Sequence, residues 1–405
     1  MQPAASTPAG GPQVGAPPAW GAVLAMSLAA FALVASEFMP VSLLTPIAAD
    51  LGITEGQAGQ AIAVSGAFAL LTSLTIPLLA GRLDRKLLLL GLTLMMIVSG
   101  TVAAFAPNYA TFMVGRAFIG VAIGGFWSMS AATAMRLVPD KQVPRALAIL
   151  NGGNALATVV AAPIGSFVGA LVGWRGAFFC VVPVAAIAFG WKLASLPPLK
   201  PAAGSGSGNV FALLKRPVVA FGMAAVGVFF MGQFALFTYL RPFLENVTHL
   251  GVSALTLMLL VVGVAGFAGT TMIGAVIDRG MYRTLVAIPA LMAVLAVALM
   301  LCGGSHVAVG IVLGLWGLVA TAAPVGWWTW LARTLPREAE AGGGLIVAIV
   351  QLCIALGATV GGLLFDASGY SATFGAAAAM LAVAAVLAAL TARAARMAPA
   401  AAAST

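Results

Sequence analysis

The sequence predicts an all-α polytopic membrane protein, with twelve transmembrane helices in two six-helix halves related by a pseudo-two-fold axis along the membrane normal. Composition is the first reason. Of 405 residues, 62% are apolar and only 7% charged, against about 25% charged in soluble domains. A soluble fold of this length has no interior large enough for so much apolar surface. The second reason is spacing: apolar stretches of about 20 residues, the length that crosses a bilayer, recur along the chain. The third is that Lys and Arg fall at alternate breaks between those stretches.

The elements follow in order. Residues 1–20 are rich in Pro, Gly and Ala, carry no charged side chain and lack the basic start and apolar core of a signal peptide. They read as a disordered cytoplasmic tail. The first six spans are 21–44, 57–80, 87–106, 109–135, 145–170 and 174–196, forming an N-terminal half over 21–196. Residues 197–217 hold Pro197-Pro198, Gly204-Ser-Gly-Ser-Gly208 and the bases Lys200, Lys215 and Arg216, a flexible cytoplasmic linker. The second six spans are 218–240, 255–277, 283–302, 305–332, 341–365 and 370–391, forming a C-terminal half over 218–391. Residues 392–405 form a second cytoplasmic tail. The many glycines suit helices that pack closely in lipid.

The formal charge of +9 resembles a nucleic-acid signal, but its placement belongs to a membrane. With both termini inside, the cytoplasmic segments hold Arg82, Arg85, Lys86, Arg136, Lys141, Arg145, Lys192, Lys200, Lys215, Arg216, Arg279, Arg283, Arg333, Arg337, Arg393 and Arg396. Only Arg116, within a span, and Arg175 and Arg241, in outside loops, stand apart. Such an asymmetry fixes the topology of a multi-pass protein. Cys180, Cys302 and Cys353 lie in apolar spans without metal or disulfide spacing. His249 and His306 sit in or beside outside loops. No metal, cofactor or nucleic-acid partner is expected, and no zinc helix, nucleotide-binding loop or nucleophile elbow suggests an enzyme.

The halves repeat weakly. Ala80-Gly-Arg-Leu-Asp84-Arg85 recurs as Gly274-Ala-Val-Ile-Asp278-Arg279, Gly125-Phe-Trp127-Ser128 as Gly326-Trp-Trp328-Thr329, and Arg136-Leu-Val-Pro139 as Arg333-Thr-Leu-Pro336. Parallel repeats of this kind place a substrate site at the midplane between halves.

Glu37 is the most informative residue. It lies in the middle of an apolar span, where a charged carboxylate costs about 2.5–3.5 kcal/mol or more and rarely faces lipid. It is either a proton carrier or a protonated group bonded to a neighbouring helix. Arg116, a third of the way into span four, either takes part in coupling or snorkels outward. Asp84 beside Arg85, repeated as Asp278 beside Arg279, reads as a gating latch, with plain topogenic charge the alternative. Pro40, and Pro163 with Gly165, mark bends in spans one and five.

The Asp84-Arg85 turn, Arg116 and the Pro163-Gly165 segment together resemble the major facilitator superfamily, within its 12-span drug:proton antiporter group. Ala80 stands where that loop signature has Gly, and Ala162 and Ser166 replace two glycines of the antiporter motif. The resemblance sharpens over Glu37-Phe-Met-Pro40-Val-Ser42-Leu-Leu-Thr45-Pro46, Gly124-Gly-Phe-Trp127-Ser128-Met-Ser130, Gly232-Gln233-Phe-Ala-Leu-Phe-Thr238-Tyr239-Leu-Arg241-Pro242 and Pro324-Val-Gly-Trp327. These segments are similar to the bacterial purine ribonucleoside efflux family. That resemblance implies a monomeric secondary transporter that exports inosine or guanosine by proton antiport, with Glu37 and Arg116 in proton coupling.

A nucleoside offers a flat base and polar edges. Trp127, Tyr239 and Trp328 are candidates to stack on the base. Ser128, Ser130, Asn151, Asn154, Gln233, Thr238 and Gln351 are candidates to bond ribose or base edges. Competing readings are an aromatic belt for the Trp residues and bonds to their own backbone for Ser and Thr. The alternative function is a broad drug or sugar efflux proton antiporter; a membrane enzyme or receptor is the more distant one.

Overall fold

A computed structural model of the chain describes residues 18–79, 83–199, 210–335 and 338–397. The expected tail at 1–17, the start of the Asp-Arg turn at Ala80 and Arg82, the Gly-Ser linker at 204–208, Pro336 and Arg337, and the end of the C-terminal tail lie outside the described residues. The rest is helical almost throughout. The helices are α1 (Trp20–Leu51), α2 (Glu55–Leu79), α3 (Arg85–Ala104), α4 (Tyr109–Arg136), α5 (Val143–Ser195), α6 (Pro217–Phe237), α7 (Leu240–Asn246), α8 (Val252–Cys302), α9 (His306–Ala320), α10 (Ala323–Thr334) and α11 (Ala339–Met397).

Among the described residues, nine helical stretches are long and apolar enough to cross a bilayer. Three helices exceed one crossing: α5, α8 and α11 hold 53, 51 and 59 residues. At about 1.5 Å per residue they would run roughly 75–90 Å, against about 30 Å of hydrocarbon. Each is broken once by non-helical backbone at a glycine, Gly173, Gly280 or Gly369. Gly173 and Gly369 have φ of 75° and 74°, a left-handed conformation that glycine adopts without strain. An aromatic follows each. Trp174 packs edge-on against Phe112 and Phe178, and Tyr370 against Phe243 and Phe374. The same corner is thus built at corresponding places in the two parts of the chain.

The span expected at 218–240 runs on to Asn246 in two pieces, α6 and α7, joined at Thr238-Tyr239, and span 305–332 is likewise α9 and α10. Pro324 lies in the first turn of α10, where a missing N–H costs nothing. Other ends are capped by side chains. Asn108 accepts from the Thr111 amide, Asp84 from the Lys86 amide and Ser305 from the Ala308 amide. Gly52, with φ of 63°, closes α1.

Buried apolar residues form one core from residues 22–199 joined by Tyr239, and a second from residues 213–388. A smaller third cluster crosses the seam between them. It contains Val41 of α1, Ile62 and Ala63 of α2, Phe234 of α6, and Ile354, Ala355 and Ala358 of α11. Large apolar side chains such as Leu171, Leu301 and Val307 are exposed outward, where a bilayer would cover them.

The seam is closed at the end that holds Gly52. The Asp366 carboxylate of α11 accepts hydrogen bonds from the Thr54 hydroxyl at 2.6 Å and the Gly56 amide at 3.0 Å. Thr359 bonds Gln60 at 3.1 Å, Thr256 bonds Ser166 at 3.2 Å, and Arg241 donates to the Ser42 carbonyl. Backbones remain close to Gly66 against Gln351 and Gly263 against Val159. Toward the opposite end, which holds Asp84, α10 packs against α8, α9 and α11 of its own side. The two cores therefore splay apart from mid-bundle toward the Asp84 end.

Two bases depart from expectation. Lys192, expected in a cytoplasmic segment, is fully buried, with Nζ 2.8 Å from Thr93 Oγ1 and 5.1 Å from the Phe126 ring centroid. The long stem lets a residue near a helix end fold back among α3 and α4, which charge counting does not detect. Arg241, expected in an outside loop, is buried in α7 and pairs with Glu245 at 2.8 Å.

Candidate functional site

Glu37 lies mid-way along α1 and is only 6% exposed. The fully buried Arg116 of α4 reaches the same turn. Its Nη1 donates to the Ser36 carbonyl at 2.8 Å, Nη2 to the Glu37 carbonyl at 3.0 Å and the Ser65 hydroxyl at 3.3 Å, and Nε to the Ala61 carbonyl at 3.1 Å. The guanidinium therefore staples α1 and α2 to α4 through main-chain oxygens. It couples electrostatically to the Glu37 carboxyl, although none of the ion pairs at bonding distance among the described residues joins the two. With its hydrogen bonds directed inward to α1 and α2, Arg116 does not snorkel.

The third partner comes from across the seam. Gln351 of α11, also 6% exposed, has its backbone against Gly66 of α2 and its side-chain amide close to the Glu37 carboxyl. Its Oε1 is buried without a protein hydrogen-bond partner, and so is Oε1 of Gln233 on α6. Next to these residues Phe38 stacks on Phe234, centroids 5.6 Å apart, and Val350 packs into the cluster across the seam. A titratable carboxyl, a buried cation and an amide with an unsatisfied acceptor thus gather at mid-bundle, where the seam begins to open.

The remaining candidates distribute unevenly. Thr238 is buried and donates to the Phe234 carbonyl, while the exposed Ser128 donates to that of Gly124. Asn151 is exposed and bonds the Leu147 carbonyl of its own helix. Asn154 is half-buried and Ser130 buried. Trp127 is half-buried against Phe126. Trp328 is 46% exposed near the Asp84 end of the bundle. Tyr239 is buried, donates to the Ala358 carbonyl at 2.8 Å and stacks on Phe365.

Pro40 and Pro163 are buried within α1 and α5, and Gly165 faces the Ser42 hydroxyl. Asp84 caps α3 and also accepts from the Leu199 amide at 3.0 Å, which fastens the start of the linker. Arg85 lies 3.5 Å from the Met129 sulfur. Asp278 pairs with Arg333 at 3.1 Å on the surface, and Arg279 is exposed. In this conformation these Asp84 and Asp278 contacts stay on their own sides of the seam.

Sequence reading passed over the clasp at the Gly52 end. A methyl group added to Gly56 would overlap the Asp366 carboxylate, and one added to Gly59 or Gly362 would overlap the Tyr239 hydroxyl. The seam closes there only because those three positions lack a side chain. Gly59→Leu is expected to wedge it open. In a background lacking Cys180, Cys302 and Cys353, labelling of Ile62→Cys, buried in the seam, should then become at least several-fold faster. Equal rates with and without the leucine would show that this clasp does not seal the bundle.

Residues 26–358 match the Major Facilitator Superfamily. The chain belongs to that superfamily. It is 63% identical over 366 residues to the transcription regulatory protein OpdE of Pseudomonas aeruginosa, covering 89% of this chain and 91% of OpdE. It is 40% identical over 349 residues to the purine ribonucleoside efflux pump NepI of Escherichia coli K12, covering 86% and 88%. In fold it is similar to a bacterial homologue of the human lysosomal transporter Spinster, in an inward-facing and unoccupied conformation. The TM-score is 0.75 at 16% identity, covering 93% of this chain and 97% of that one. These likenesses make the chain a multi-pass membrane transporter of this superfamily.

Proposed function

We propose that the chain exports purine ribonucleosides by proton antiport across the bacterial inner membrane. Taking the breaks at Gly173, Gly280 and Gly369 as turns between spans supports a reading of twelve spans in two halves of six. Both termini lie in the cytoplasm at the Asp84 end, so the conformation described is open inward and closed outward. One observation carries the reading: a buried carboxyl, Glu37, lies close to a buried amide from the opposite half, Gln351, whose backbone packs on Gly66 at the level where the seam parts. Protonation there can change how the halves engage, which coupling in alternating access requires. Gln233 and Gln351 leave two buried amide oxygens that want donors, and the ribose hydroxyls and N1–H of inosine or guanosine supply them. The likeness to NepI supports this substrate class.

Purified protein in proteoliposomes loaded with labelled inosine should release it faster when a pH gradient is imposed. Gln233→Ala removes a buried acceptor, worth roughly 5- to 150-fold in affinity. It should weaken competition by inosine by about that factor, and competition by a bulky apolar cation much less. If hydrophobic cations move and nucleosides neither move nor compete, the chain is a multidrug antiporter instead. The name of the OpdE relative favours a second reading, a regulatory sensor. A sensor would bind inosine in detergent yet leave the vesicle flux at the level of protein-free controls.

A further inference from the structure

A neutral nucleoside exerts no Coulomb competition with a proton, so antiport of inosine needs a group that reads protonation through hydrogen bonds. We propose that the Gln351 side-chain amide is that group: by turning over, it converts the protonation state of Glu37 into a change in the acceptor offered to substrate. The inference rests on the antiport reading above and names the residue that joins its two ligands.

The geometry supplies each part. Gln351 sits on α11, on the opposite side of the seam from Glu37, with its backbone against Gly66, next to the Ser65 hydroxyl that Arg116 bonds; its amide lies close to the Glu37 carboxyl and its Oε1 has no protein partner. A carboxylate only accepts hydrogen bonds, so it takes the amide NH2 and leaves Oε1 for a donor on the substrate. A proton added to that carboxylate makes it a donor. The amide then turns over to accept from it and presents its NH2 where Oε1 had been. A substrate N–H or O–H now meets another donor, and affinity falls. By linkage, a nucleoside bound to Oε1 disfavours the proton to the same extent.

The other charged groups on elements packed against α1 are engaged elsewhere. Arg116 of α4 is held by main-chain carbonyls and stays charged throughout. Arg241 pairs with Glu245, Arg175 with Asp50, and Arg145 lies over Trp20. Lys192 is held by Thr93, Glu55 opens α2, and Asp366 is clasped by Thr54 and Gly56 at the closed end. Arg85 and Lys86 of α3 and Arg136 of α4 lie at the Asp84 end.

Equilibrium binding of labelled inosine to the purified full chain, between pH 8 and pH 5, tests the idea. Wild type should bind about 5- to 150-fold more weakly at the acid end and release a proton when inosine binds at mid-range. Gln351→Met, of similar length but without the amide, should bind weakly at every pH, lose most of that dependence and release little proton. A Gln351→Met protein that folds and keeps the wild-type pH slope and proton release overturns the proposal. Should that variant fail to fold, wild type alone decides with inosine analogues that each lack one donor: 1-methyl-, 2′-deoxy-, 3′-deoxy- and 5′-deoxyinosine. One of them should bind with little pH dependence; if all keep inosine's slope, the amide does not relay protonation. Failure of the antiport reading itself looks different, because wild type would then show no inosine binding or no pH dependence at all.

Discussion

Glu37→Gln is expected to abolish proton-driven export while leaving a folded protein that still exchanges substrate. The substitution preserves volume and removes the titrating group, so an imposed pH gradient has nothing to act on at this position. Flux from vesicles should fall to the rate seen without a gradient, and exchange of labelled for unlabelled inosine should continue. The glutamine amide can donate as a protonated carboxyl does, so inosine affinity should sit near the acid limit of wild type at all pH values. The sign follows from the chemistry. Wild-type affinity is highest where Glu37 is a carboxylate and falls as the pH is lowered through its titration, whereas the variant gives a flat line. A variant that still responds fully to the gradient would remove Glu37 from the coupling step.

Much of the bundle was legible because apolar length is a strong signal. The breaks at Gly173, Gly280 and Gly369 fall between spans read as separate. Glu37 was legible because an acid in the middle of an apolar span has few explanations. Which way each helix faces was not. In lipid both faces of a helix are apolar, so most of these helices carry almost no amphipathic signal to orient them. Asn151 and Gln351 therefore look equally promising as text, yet the first is exposed and bonds its own helix while the second is buried close to Glu37 across the seam. The clasp was hidden for another reason: Asp366 bonds an amide 310 positions away, and Gly56 and Gly59 read only as generic close packing. Gln351 stood among the candidates for its amide alone; its pairing with Glu37 needed the third dimension.

Arg116→Leu should cost stability as well as coupling. The guanidinium donates to three carbonyls and one hydroxyl in a fully buried site. Leucine fills part of the volume but leaves the Glu37 carboxyl without a compensating charge. Removing one partner of a buried charge pair typically costs about 3–5 kcal/mol, whereas removing both costs much less. The double variant Arg116→Leu with Glu37→Gln is therefore expected to recover most of the loss in thermal unfolding of the detergent-solubilised protein. Arg116→Lys should fall between, because an ammonium keeps the charge but cannot reproduce the planar fork that reaches Ser36, Glu37 and Ala61 together. The double-mutant cycle isolates the coupling between the two groups. If the double variant is as unstable as Arg116→Leu alone, Arg116 acts only as a staple for α1, α2 and α4, and its charge has no bearing on Glu37. If the double variant regains stability but Arg116→Lys retains full gradient-driven flux, the coupling is one of charge, and the fork geometry serves packing alone.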